Sequence, residues 1–190
     1  SYAVKLYEAR YLAGIAAGLN TETNRLGYVA TEASAQVISD FTAFYLGAKR
    51  VNPQVTMLVS FAGRTPDPAQ EADTAQAFID QGCDVISQHT VTGAAAITAQ
   101  RNGVFAVGCG EDMTATVPKA ALVSAQVNWE AYYTYALECL LTGQDMAQSW
   151  WGGYGENACG LSPLNEDIAA PSTQQAIEEA AQGLSDGTLQ

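Results

Sequence analysis

From residue 26 onward, short apolar runs alternate with longer stretches in which apolar and polar positions follow a helical spacing. The runs Leu26–Ala30, Thr56–Phe61, Val85–Gln88, Val104–Val107 and Leu122–Gln126 are strand-length and are predicted as strands. The intervening segments 35–50, 68–81, 92–101 and 129–142 are predicted as helices. The first three strands start about 30 residues apart, the length of a strand, its crossover helix and two turns. That repeat predicts an α/β fold, with a parallel sheet flanked by helices on both faces.

Local punctuation agrees with these boundaries. Pro68, after Pro66 and Asp67, suits the first turn of a helix, and Gly82 and Gly103 stop helices directly before strands. A further helix over 6–19 precedes the repeat, with Leu6, Ala9, Ala13, Ala16 and Ala17 on one face and Leu12 and Ile15 beside them. Its Gly14 and Gly18, four residues apart, mark a place for close backbone packing in a soluble helix. After Gly143 the rhythm changes: Trp150–Gly160 is rich in glycine and aromatic residues, and a last amphipathic helix is predicted around 172–183.

Composition narrows the function. The chain has 190 residues and is 48% hydrophobic, enough for a sizeable core. Twenty acidic against eight basic side chains give a net charge of -12, which repels nucleic-acid phosphates and anionic lipid. No apolar run is long enough to span a bilayer. Cys83, Cys109, Cys139 and Cys159 are too widely spaced for a CxxC site and His89 is the only histidine, so no metal site is expected. Cys83 and Cys109 border apolar runs and read as buried thiols, with a disulfide left open. Gly108-Cys-Gly110 at a strand end lacks the third glycine of a dinucleotide turn, because Met stands at 113, and no nucleotide or hydrolase motif is complete. No cofactor is expected.

Ligands of parallel α/β sheets bind beyond the carboxyl ends of the strands. Four loops meet that condition: 31–36, 62–67, 89–93 and 109–114. They carry both signs of charge, among them Glu32, Arg64, Thr65, His89, Thr90, Glu111 and Asp112. Cys109 with His89 is the one conceivable thiolate pair and supports an alternative reading as a catalytic α/β domain. Neighbouring Glu111 and Asp112 point apart on a loop, and Asp112 suits an N-cap of the following turn.

The ordered set Tyr7-Glu-Ala-Arg-Tyr-Leu-Ala-Gly14, Gly27-Tyr-Val29, Ala77-Phe-Ile-Asp-Gln-Gly82, Asp84-Val-Ile86, Gln88-His-Thr90, Val127-Asn-Trp129 and Trp151-Gly-Gly153 resembles the basic membrane protein (BMP) family. These are substrate-binding lipoproteins of ABC importers, and the resemblance runs over nearly the whole chain. It implies a type I periplasmic-binding fold of two lobes. The implied role is a non-enzymatic, extracytoplasmic carrier that delivers a purine nucleoside or base to an ABC permease. A sensor domain on the same fold is a further alternative.

The resemblance also implies a first lobe, with its lipid-anchored cysteine, upstream of this chain. Residues 1–25 then end the N-terminal lobe, 26–121 form the C-terminal lobe, 122–144 return to the first lobe, and 145–190 supply the hinge and closing helix. On that division the apolar faces of 6–19 and 129–142 lack cover and drive self-association, and nucleosides bind this chain weakly or not at all. Gln88, His89 and Thr90 match the family's ligand-contacting cluster. Asp112 matches the second acidic position of a family turn whose first acidic position is Gly110 here. The segment that often stacks an aromatic on the base reads Arg64-Thr65-Pro66, with Phe61 nearby.

Overall fold

A computed structural model describes residues 1–189. The first half contains β1 (Tyr2–Val4), α1 (Leu6–Asn20), β2 (Arg25–Ala30), α2 (Ala35–Val51), β3 (Thr56–Phe61), α3 (Pro68–Asp80) and β4 (Val85–His89). The second half contains α4 (Ala94–Arg101), β5 (Phe105–Cys109), β6 (Ala121–Val127), α5 (Glu130–Thr142), β7 (Trp150–Gly152), β8 (Cys159–Leu161) and α6 (Thr173–Ser185). Six strands form one sheet in the order β3-β2-β4-β5-β6-β8, parallel except for β8, which pairs antiparallel with β6. β1 and β7 make a separate two-stranded parallel sheet.

Strand alternation sorts side chains onto two cores. Leu26, Tyr28, Val85 and Val107 face α1, α2 and α6, while Val29, Ile86 and Ala106 face α3 and α4. The helix starts follow local chemistry: Asp67 caps α3 by accepting from the Ala69 and Gln70 amides at 3.1 Å, and Pro68 sits in its first turn.

The predicted helix over 6–19 forms, but its expected exposure is wrong. α1 packs on α2, α6, β6 and β8, and Ala9, Leu12, Ala13, Ile15, Ala16 and Ala17 have no exposed surface. Gly14 and Gly47 let α1 and α2 touch backbone to backbone, since a Cβ on either would fall inside the van der Waals shell of the other helix's carbonyl oxygens at Phe44 or Tyr11. Close packing is thus the role of Gly14 and Gly18. β6, which begins at residue 121, is an inner strand of the main sheet, between β5 and β8.

The expectation of an uncovered face holds for α5. Cys139 is its only buried residue, and Tyr133, Leu137, Leu140 and Leu141 are exposed. Beside it, the Tyr132 ring stacks on Tyr2 of β1 with centroids 4.5 Å apart. All four cysteines are free thiols. Among the described residues no helix is long and apolar enough to cross a membrane, and no cluster of metal-ligating side chains occurs.

Candidate functional site

The strand order reverses at β2. From β2 the chain moves outward to β3, then returns to the other side of β2 with β4 and proceeds to β5 and β6. The carboxyl ends of β2 and β4 therefore flank the topological switch point, where connections diverge and leave a crevice. His89 ends β4 opposite Ala30 of β2.

Beneath that crevice lies a buried polar cluster. Tyr28 Oη is 3.2 Å from His89 Nδ1, and Asp40 Oδ2, from α2, is 3.7 Å from His89 Nε2. Arg10, from α1, is fully buried and donates to the Gly108 carbonyl at 3.0 Å and to Ser87 Oγ at 2.6 Å. Its guanidinium also lies over the Tyr28 ring, 4.9 Å from the centroid, and over Phe44, at 5.2 Å. Loss of water pushes Asp40 up to about 6, against the opposing pull of Arg10. Burial, with Arg10's charge in support, pushes His89 down to about 4. Burial also raises the Tyr28 phenol, so it stays protonated.

The loop after β4 is held from the other face of the sheet. Glu71 of α3 is buried, and its Oε2 accepts from Thr90 Oγ1 at 2.7 Å and Thr92 Oγ1 at 2.6 Å. Gln88 points to the same face, where its Oε1 accepts from the Ala96 amide in the first turn of α4 at 3.2 Å. A buried carboxylate thus lies on each face of the sheet beside the end of β4, Glu71 hydrogen-bonded to the loop and Asp40 facing the imidazole.

The structure draws only some of the sequence candidates together. Gln88, His89 and Thr90 sit at the switch point, with the side chains of Gln88 and Thr90 bonded within the protein. Asp112 is exposed and caps its own turn, accepting from the Thr114 amide at 2.9 Å, as its sequence setting suggested. Gly110 follows β5 with a φ of +89° and open space around it. Phe61, Arg64 and Thr65 are exposed at the edge strand β3, and Arg64 pairs with Glu32 across the β2 and β3 loops. Cys109 makes no hydrogen bond to His89. Burial raises its thiol pKa, which disfavours the thiolate that nucleophilic chemistry needs.

Four residues of this cluster escaped sequence reasoning: Arg10, Tyr28, Asp40 and Glu71. The available signal was a charged residue on an otherwise apolar helical face, visible at Arg10 among the alanines of α1. Cavities of about 360 Å³ (between α1, β8 and α6) and about 690 Å³ (beside Tyr11, Leu46 and Leu184) lie elsewhere. The switch-point loops carry half-buried and exposed residues.

Residues 1–186 match the family model described as ABC transporter substrate-binding protein PnrA-like. The chain is 34% identical over 185 residues to a protein of Haloferax volcanii described as a candidate ABC transporter glucose-binding protein, covering 97% of this chain and 47% of that one. It is 31% identical over 189 residues to a purine-binding protein of Brucella abortus, covering 100% of this chain and 53% of that one. The chain spans about half the length of these relatives. A solute-binding protein of an ABC transporter system from Conexibacter woesei superposes with a TM-score of 0.82 at 19% identity, over 100% of this chain and 64% of that one. A transcriptional activator of the comK gene from Bacillus halodurans gives a TM-score of 0.88 at 17% identity, over 99% and 65%. These structural likenesses establish the periplasmic-binding type of fold.

Proposed function

Because the chain belongs to the PnrA-like family of ABC transporter substrate-binding proteins, we propose that it forms one wall of a cleft that holds a purine nucleoside or base for an ABC permease, outside the cytoplasm. The observation that carries this reading is the switch point between β2 and β4, where polar loops and His89 meet at the carboxyl ends of parallel strands. Around it, the exposed ring of Phe61 offers a stacking face, while Arg64, Thr65, Gly110 and Asp112 border the same end of the sheet. The loop Gln88–Thr90 is the centre of the site. In this reading a facing wall closes over it by hinge motion. The purine-binding relative supports the ligand class. The Haloferax relative makes a sugar the second reading.

Titration calorimetry with adenosine, guanosine, adenine and glucose tests the proposal. Because the chain supplies one wall, a weak purine isotherm is expected, reduced a further tenfold or so by His89→Ala, roughly the loss of one aromatic contact, and tight purine binding by this chain alone overturns the one-wall reading. Saturation by glucose with silence from every purine overturns the ligand class, and recovery of a chemically altered ligand overturns the carrier role.

A further inference from the structure

The geometry points to Tyr28 and Asp40 as positioning residues that commit both ring nitrogens of His89 to the protein, so that a ligand meets this histidine through its ring face and carbon edge. The ligand-contact half of this inference rests on the proposed reading of the switch point, whereas the ring assignment rests on the structure alone.

Four elements face the imidazole or its partners with titratable or charged groups: Arg10 on α1, Tyr28 on β2, Asp40 on α2 and Cys109 on β5. Tyr28 stays protonated, and its hydroxyl lies 3.2 Å from Nδ1. When it donates, Nδ1 is the bare nitrogen, and a neutral imidazole then carries its proton on Nε2. Nε2 faces Asp40 Oδ2 at 3.7 Å. Asp40 is only 1% exposed, and that oxygen has no hydrogen-bond partner. A buried acceptor needs a donor, and Nε2, just beyond hydrogen-bond length at 3.7 Å, is the ring nitrogen set against it. The opposite tautomer would set a bare nitrogen against an unpartnered carboxylate oxygen. Arg10 opposes a second ring proton, so the ring stays neutral. With Nδ1 taken by Tyr28 and Nε2 set against Asp40, the ring carbons are what remains for a ligand.

Ring-nitrogen NMR near neutral pH tests this directly, because a histidine-labelled sample reports one ring alone. A protonated Nε2 with a bare Nδ1 is expected in the wild type, and Tyr28→Phe, which removes only a hydroxyl, should produce a mixture of tautomers. Asp40→Asn should do the same. A protonated Nδ1 in the wild type, or a tautomer ratio untouched by Tyr28→Phe, overturns the assignment. Added adenosine is expected to shift the ring carbon-bound protons and leave both nitrogens in place. A large nitrogen shift overturns the contact mode. Silence towards adenosine overturns the ligand contact and leaves the tautomer result to decide the positioning roles.

Discussion

Asp40→Asn and His89→Asn, made separately, should uncover two opposing pH dependences that cancel in the wild type. His89 has a folded-state value of about 4 against 6.5 unfolded, so between those limits the unfolded chain binds more protons. Its contribution is undiminished above 6.5 and turns increasingly unfavourable as the pH falls towards 4. Asp40 runs the other way: raised from 3.8 to about 6, it binds a proton in the folded state first, and the stability that brings is lost as the pH rises through 6. Between about pH 4 and 6 the unfolded pair holds one proton on His89 and the folded pair holds one on Asp40, so the pair contributes almost no slope. At about 1.4 kcal/mol per unit, each group alone is worth about 3 kcal/mol across its full window. About 2 kcal/mol of that falls between roughly pH 4.5 and 7.

Urea denaturation of the three proteins across that range is the assay. The stability of the wild type minus that of Asp40→Asn should fall by about 2 kcal/mol as pH rises, and the wild type minus His89→Asn should climb by a similar amount. Taking differences removes the titration of the many surface carboxylates. Slopes of the same sign, or two flat difference curves, would refute the assignment of a buried, mutually compensating pair.

Two further predictions concern the helices. Gly14→Ala is expected to cost about 3 kcal/mol or more in urea unfolding, because its methyl group would drive α1 into the Phe44 carbonyl of α2, where backbone leaves nothing to rotate aside. On α5, a double change of Leu137 and Leu141 to Glu is expected to alter stability by less than about 0.5 kcal/mol, since both side chains are exposed. The same variant should lower any self-association seen by light scattering at high concentration. A wild type that stays monomeric at every concentration would sink the association through α5.

The repeating βα body was legible in the sequence because its signals are local. A strand of five to seven residues in the main sheet reads as an apolar run, and proline, glycine and capping residues mark the ends of its neighbours, so the predicted boundaries of β2 to β6 fall within two residues of those observed. The strands β1, β7 and β8 are three residues each, too short for a period to show, and exist only because distant segments pair with them. Likewise the small-residue face of α1 announced close packing without naming the partner. Tertiary structure supplied α2, with Gly47 meeting Gly14's helix.

The candidate site divides along the same line. His89 and its neighbours could be placed at a strand end from the sequence, since position along a strand is a local property. The cluster that governs His89 joins Arg10, Tyr28, Asp40 and Ser87, separated by up to 77 residues between hydrogen-bonded partners. Which charge lies beneath which strand depends on the crossovers that set α1 and α2 on one face and α3 on the other. The sequence by itself determined the elements and the end of the sheet where chemistry collects. Only the packing of helices on the sheet decided which buried charges meet there, because electrostatic strength depends on distance and desolvation, and both are created by the fold.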